Sequence, residues 1–486
     1  MKAKRFFAAF LLLLAVILSA APAAPANSAL RRWHGSDASG AIVRSKECPI
    51  IVQDELLTFD IPDFPKEEYN NIKDFGRYQA KVTARYTFYN PTDETVTADI
   101  VFPFGATPSY SYYYNERTDT AYSMIDYEKY DITVNGEKVE KSLRHTFYME
   151  GSRGIMDFFP SIRDGYAEDA FFDPQMTVTE YVYRVSGVKD GGSGMDYSNA
   201  AADFPLTGSE RKIYIDRIAG YSDLKNGVAR INFWVENDME IRLYVMGEPL
   251  TTEPEWVFYD DTPDGRRRVA PGVMTKISQN RMDFEQFALM NRPSDSKVSK
   301  IDWYNAVVDY FTEFSDPDNT LIGPFDMLGA GFSEYIMPWY EYEITFAPHE
   351  QTVNAVEAPM YPTIDGSYTP SAYDYTYLLS PAKAWSQFGG LHIVINTPYH
   401  MIKSNLKGFE KTQTGYEAAL YGLPNGELEF SLSESRMTLP SFTFPAMLLA
   451  AGAVGILLFA GLIVLTVILL DRYFKKNAGA PRNPPA

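Results

Sequence analysis

Residues 78–102 read YQAKVTARYTFYNPTDETVTADIVF, and the fold class follows from this stretch. Tyr78, Ala80, Val82, Ala84, Tyr86 and Phe88 alternate with Gln79, Lys81, Thr83, Arg85 and Thr87. That two-residue period belongs to a strand that buries one face. Asn90-Pro91-Thr92-Asp93 interrupts it with turn residues, and Val96, Ala98, Ile100 and Phe102 resume it. The pattern predicts two strands returning on one another as a hairpin.

The same signal recurs along the chain. Ile132 and Val134 run into Asn135-Gly136, a dipeptide suited to the left-handed conformations of a two-residue hairpin turn, with Val139 on the return. Ile231, Phe233 and Val235 turn at Asn237-Asp238 into Met239, Ile241, Leu243 and Val245. Later strands are expected at Tyr340 to Phe346, at Tyr373, Tyr375 and Tyr377, and over 391–396. A last hairpin is expected across Asn425-Gly426, setting Ala419 and Tyr421 against Leu428, Phe430 and Leu432. One helix is predicted over 300–314, where Ser299 can cap the first turn with Asp302 three residues on. Trp303, Val307, Tyr310, Phe311 and Phe314 recur there near helical spacing. The 34 tyrosines and 31 phenylalanines favour strands over helices.

The two ends predict a location. Lys2, Lys4 and Arg5 precede an apolar run and then an Ala/Pro/Ser-rich stretch to Ala29, the order of a secretory signal peptide. No cysteine lies there, which excludes a lipoprotein anchor. Residues 446–470 carry no charge, long enough to cross a hydrocarbon core of about 30 Å. Arg472, Lys475, Lys476 and Arg482 follow, the positive-inside pattern that leaves the tail cytoplasmic and the preceding region outside.

The expected fold is therefore mainly β: one or two β-sandwich-like extracytoplasmic domains with a minor α insertion, plus a single C-terminal transmembrane helix. The expected organisation is a signal peptide at 1–28, an N-terminal β-rich domain at 29–255 and a turn-rich linker at 256–300. A C-terminal β-rich domain with a short helix at 301–434, a stalk at 435–445, the span at 446–470 and a tail at 471–486 complete it.

Composition narrows the partners. The formal charge is −19, with 63 acidic against 44 basic residues, and both ends are basic, so the part between them is more acidic still. Phosphate recognition needs clustered Lys and Arg, so nucleic acid is not an expected partner. Cys48 is the single cysteine, which rules out an internal disulfide framework.

The segment from Val82 to Thr92 and on through Val101-Phe-Pro-Phe104 resembles the opening hairpin of vault-protein/inter-α-trypsin-like β-sandwiches. It also resembles bacterial membrane-anchored envelope proteins of unknown function. Tyr342 to Phe346, His349 to Pro362 and the run from Tyr375 to Trp385 are similar to the later part of the latter group. The resemblance implies a sandwich fold and a membrane-anchored setting, and it transfers no catalytic residue.

Local motifs for chemistry are weak. Ser380 and Lys383 fit a Ser-x-x-Lys nucleophile spacing, but Ser209/Lys212, Ser222/Lys225, Ser294/Lys297 and Ser404/Lys407 repeat it and no Lys-Thr-Gly follows. His349-Glu350 begins like a zincin helix, yet position 353 is Val. Asp260, Thr262, Asp264 and Gly265 imitate half of a calcium loop whose twelfth position is Pro271. No catalytic residue, metal ligand or cofactor is expected. The binding candidates are Tyr110, Tyr112, Tyr113 and Tyr114, because tyrosine presents a rigid face with a polar tip.

These readings predict a binding or assembly protein at a bacterial cell surface, more in keeping with a non-enzyme. Its partner would be an envelope protein or a wall glycan, with one helix in the membrane. An envelope hydrolase or transferase with carboxylate catalysis is one alternative. An accessory subunit of a secretion or signalling complex, packing through Gly452, Gly455 and Gly461, is another.

Overall fold

Alternating apolar residues give each strand one face for a core, and the described residues build five sheets of four or more strands. The computed structural model describes residues 32–34, 36, 38–39, 41–44, 48–69, 71–78, 80–103, 108–115, 120–123, 130–149, 157–189, 198–205, 210–215, 220–224, 228–261, 267–315, 320–322, 332–440, 460–472 and 475. The first strands are β1 (Ile51–Asp60), β2 (Lys81–Tyr89), β3 (Val96–Pro103), β4 (Asp131–Val134) and β5 (Ser142–Phe147). Next come β6 (Thr177–Ser186), β7 (Ser198–Pro205), β8 (Arg211–Ile215), β9 (Gly220–Leu224) and β10 (Val228–Val235). They are followed by β11 (Glu240–Gly247), β12 (Trp256–Asp261), β13 (Arg267–Val269) and β14 (Val273–Asp283). After helices α1 (Phe284–Leu289) and α2 (Lys300–Phe314) come β15 (Ile336–Phe346), β16 (Gln351–Pro359), β17 (Ala372–Leu378), β18 (Gln387–Asn396), β19 (Gly415–Tyr421) and β20 (Leu428–Ser433).

The first sandwich joins both ends of the chain. Its large sheet runs β4-β16-β2-β1-β18-β19, extended at the edges by Glu137–Lys138 and Glu410–Lys411. Strands β1 and β18 pair in parallel although more than three hundred residues separate them, and the other pairings are antiparallel. Facing this sheet are two smaller ones, one centred on β17 and β20 and one running β5-β15-β3. Val82, Tyr86, Phe88, Phe59, Ile100, Phe346, Tyr377 and Phe430 meet in the core between them.

The β5-β15-β3 sheet is covered on its other side by the helices. Phe147, Met337 and Trp339 from that sheet pack with Trp303, Val307, Tyr310 and Phe311 of α2 in a second core. Val178, Tyr214, Tyr244 and Met246 join the same core from the sheet β8-β11-β6-β14. The opposite face of that sheet, through Tyr181, Val185, Ile213, Leu243 and Val245, meets Ala200, Ala202, Ile231, Phe233 and Phe258 of the sheet β9-β10-β7-β12-β13. The molecule is therefore layered: first sandwich, helices, second sandwich.

Several expectations need correction. Strands β2 and β3 do not form a hairpin. Both edges of β2 are taken by β1 and β16, and β3 pairs with β15 and with Ile42–Val43 in the facing sheet. The buried Asn90 directs this crossing, its side-chain amide donating to the carbonyls of Glu94 and Phe346. Strands β10 and β11, and β19 and β20, likewise pass from one sheet to the one facing it. The turn Asn135-Gly136 does close a hairpin, with positive φ at both residues and Lys138 opposite Thr133.

The turn-rich stretch 256–300, expected as a linker, carries regular structure. It contributes β12, β13, β14 and α1, and residues 177–283 form the second sandwich as an insertion between the two halves of the first. Part of the expected stalk still belongs to the fold, because Leu439–Pro440 pairs with Tyr368–Thr369. Helix α2 has the bounds its sequence predicts, and the Ser299 hydroxyl accepts from the Asp302 backbone N–H at 3.0 Å.

Among the described residues, no helix is long and apolar enough to cross a membrane. Of the expected span, residues 460–470 are described and helical, in a run that continues to 472, while 446–459 and the expected signal peptide at 1–28 lie outside the described residues.

Candidate functional site

Of the tyrosines expected to bind, Tyr110 is the one whose side chain is described, and it lies in the interior. Tyr110 is 3% exposed, sits in a short 3-10 turn and donates its hydroxyl hydrogen bond to the Pro362 carbonyl at 2.7 Å. It packs with Tyr69, Phe75, Tyr361 and Ile364, so it is a core residue. Tyr112, Tyr113 and Tyr114 lie on a strand paired with Thr120–Ser123, and their side chains fall outside the described residues. Nearby, Phe64 is stacked between Tyr373 and Tyr399, with ring centroids 3.7 and 3.8 Å away. Those ring faces are occupied by one another. Burial, with the carboxylates Glu434 and Glu67 beside Tyr373 and Asp63 beside Tyr399, pushes both phenols up to about 12.

Two polar clusters lie deeper. Glu55 projects from β1 into the first core, where Tyr377 donates to its Oε1 at 3.4 Å and the Tyr86 hydroxyl lies 3.4 Å from that of Tyr377. Burial pushes its carboxyl up to about 7, against the hydrogen bonding of the two tyrosines, and the neighbouring charge of Asp54 pushes the same way as burial. Arg144 of β5 bridges Glu341 of β15 at 2.6 Å, Asp164 at 3.0 Å and Asp302 of α2 at 3.5 Å. Glu341 also pairs with Arg44, and Asp302 accepts from the His145 backbone N–H at 3.1 Å. This network ties α2 to its sheet. Closed ion pairs of this kind specify an arrangement more than they stabilise it.

Where the chemical motifs are described, their residues make structural contacts. Ser380 and Lys383 stand in a 3-10 turn whose first N–H groups, Leu379 and Ser380, donate to the Glu427 carboxylate. His349 pairs with the exposed Asp93 at 2.8 Å, and Asp260 begins the end of a strand. No group of three metal-binding side chains occurs among the described residues.

The arrangement best suited to contact a ligand was not visible in the sequence. It is the outer face of β9-β10-β7-β12-β13, turned away from the third core. Register places Trp234, Asn199, Tyr259 and Val269 in one row across four strands. The next row holds Gly220, Asn232, Ala201 and Val257, and the third pairs Arg230 with Asp203. Trp234 is 61% exposed and Val269 is 71% exposed, whereas Asn199, Ala201 and Asn232 lie buried between larger neighbours. Arg230 grips Asp203 through two hydrogen bonds of 2.7 and 2.8 Å, which holds the Asp203 carboxyl below its ordinary range. Tyr259 sits close enough to Arg230 to favour its charged form. Trp234 and Tyr259 are two strand spacings apart, about 10 Å. The face offers aromatic surface and one internally neutralised ion pair, while its two amides are buried.

No protein-family model matches the chain, and no curated protein matches it. Among solved structures it is similar to a putative nutrient binding protein of Legionella pneumophila, at 10% identity and a TM-score of 0.31. That alignment covers 82% of this chain and 72% of the other, and at such a score it bears on neither fold nor function.

Proposed function

We propose that this protein is a tethered binding protein of the bacterial envelope, held outside the membrane by residues 446–470 and presenting the outer face of the second sandwich. The observation that carries the reading is Trp234, an indole left 61% exposed at the penultimate position of β10. Large exposed aromatics set among polar groups mark contact surfaces.

Two features support the tether. In the described helix at 460–472, Leu462, Ile463, Val464, Leu465, Val467, Ile468, Leu469 and Leu470 are exposed on every side. A helix apolar all round calls for an apolar environment. Lys475, exposed beyond it, pairs with Asp471 one turn back, as suits a polar boundary. The resemblance to membrane-anchored envelope proteins agrees with this setting.

Location is tested with a tag on the cytoplasmic tail. Protease added to spheroplasts should digest the chain to a tagged fragment of about the span and tail, and a chain ending at residue 445 should be exported free. A full-length tagged chain after digestion would reject the tether. Binding is tested by retention of the full chain on isolated envelopes, which Trp234→Ala should reduce; equal retention would reject this face.

A further inference from the structure

We infer that the last ribbon of the first sandwich, Tyr368–Thr369 paired with Leu439–Pro440, seats that sandwich on a phospholipid bilayer, with Tyr368, Met437 and Leu439 immersed at the level of the headgroups and upper acyl chains. This rests on the tether reading above and adds a second contact with the same membrane.

Among the described residues of the first sandwich, the large apolar side chains left exposed are Tyr368, Tyr421, Met437 and Leu439. All but Tyr421 belong to the ribbon or stand two residues before its second strand, so this apolar surface is gathered in one place. Met437 is 75% exposed and Leu439 is 63% exposed. Chain length fixes what lies close to them. Residues 441–445 join the ribbon to the apolar run that begins at Ala446, and even fully extended they reach about 20 Å. In a chain held by that run, the ribbon stands within this distance of the hydrocarbon core.

The two faces of the ribbon select lipid over protein. Tyr368 is opposite Pro440 and Leu439 is opposite Thr369, so Tyr368 and Leu439 belong to different faces. A protein partner lying on one face leaves the other in water. A layer of headgroups and acyl chains surrounds both, and the apolar ring and polar hydroxyl of a tyrosine suit that depth. Charge points to an apolar seat rather than an electrostatic one. The chain carries −19, and in the two strands with their flanks, 366–370 and 434–440, the acidic Glu434 accompanies the basic Arg436. No excess of positive charge there draws the ribbon to anionic headgroups.

Tyr421 supplies an internal control. It ends β19 opposite Gly390, whereas β19 begins at Gly415 opposite Asn396. From Asn396 a short turn leads to His400, which pairs with Ser433 shortly before the ribbon, so Tyr421 stands at the far end of the large sheet.

The test uses the full chain reconstituted in phosphatidylcholine vesicles, with a polarity-sensitive fluorophore attached through Met437→Cys, Leu439→Cys or Tyr421→Cys. Cys48 is buried and stays in place. Labels at the first two positions should shift to the blue and be quenched by lipids carrying a nitroxide near the headgroup, at low and high salt alike. The label at the third should do neither. Adding Tyr368→Glu and Leu439→Glu to the Met437→Cys chain should return its label to water, with an unchanged circular dichroism spectrum because both residues are exposed. Quenching that survives those two substitutions would come from nearness to the tether alone and would overturn the inference. Quenching lost at high salt, or a blue shift without quenching, would overturn it too, the latter by showing a protein cover. Flotation separates the two claims. A full chain that does not float with the vesicles fails the tether reading and this seat with it. One that floats while its labels at 437 and 439 stay unquenched loses the seat alone.

Discussion

Glu55 shows how a single residue can make stability depend on pH. It occupies an inward position of β1, alternating with Leu57 and Phe59, just after a bulge between Val52 and Asp54. Its carboxyl is raised from 4.5 to about 7 by burial, so the folded chain keeps a proton that the unfolded chain releases. Stability from this group is thus complete below about pH 4.5, declines as pH rises, and is lowest above about pH 7. The loss amounts to roughly 3 kcal/mol. Glu55→Gln removes the ionisation while keeping the shape. The urea midpoint of the variant should match the parent at pH 4 and exceed it at pH 8; an equal gap at both pH values would reject this account. Asn90 is a second residue of this kind, buried and donating to two carbonyls. Asn90→Ala should cost roughly 2–3 kcal/mol, since two acceptors lose their donor, and a midpoint shift below about 0.5 kcal/mol would refute it.

At the scale of elements, local chemistry was legible and partnership was not. The period-2 runs name the inward residues of β2, β3, β10, β11 and β20 correctly, and Ser299 fixes the start of α2, whereas in β19 the expected Ala419 and Tyr421 are exposed and Tyr416, Ala418 and Leu420 face the core. What a turn cannot reveal is whether the strands it joins lie in one sheet or in two facing sheets. Ile231 and Leu243 both point into the third core whether their strands pair or oppose, so the alternation is the same in either case. Asn135-Gly136 is the exception because positive φ at both positions demands a tight return. The candidate face was hidden for a related reason: Trp234, Asn199 and Tyr259 become neighbours only through register across three strands. Tyr110 misled because its aromatic cluster faces inward. Two predictions belong to this scale. Ser299→Ala removes the cap of α2 and should destabilise by about 1 kcal/mol, seen as faster amide exchange in its first turn; unchanged exchange would count against the cap. Gly389→Ala would bring a Cβ to 2.1 Å from the Gln53 carbonyl oxygen, where the first sandwich joins β18 to β1. That strand pair must shift, and the urea midpoint should fall by at least about 2 kcal/mol.

For the whole molecule, the decisive feature is the insertion of one sandwich into the other. The inserted unit enters at Thr177 and leaves at Asp283, and these residues stand opposite each other on β6 and β14. The first sandwich is closed by strands from both ends of the chain, so neither half can complete its core alone. A chain ending before residue 336 should therefore lose the first sandwich, and its amides in β1 and β2 should exchange as in an unfolded chain. Protected amides there would contradict the interleaved topology. The neighbouring crossings also have a mechanical meaning. In a chain anchored at its tail and held at the outer face of the second sandwich, the two covalent crossings at Thr177 and Asp283 would share the load; both would be drawn the same way, so the pull would run along β6 and β14 side by side instead of parting one from the other.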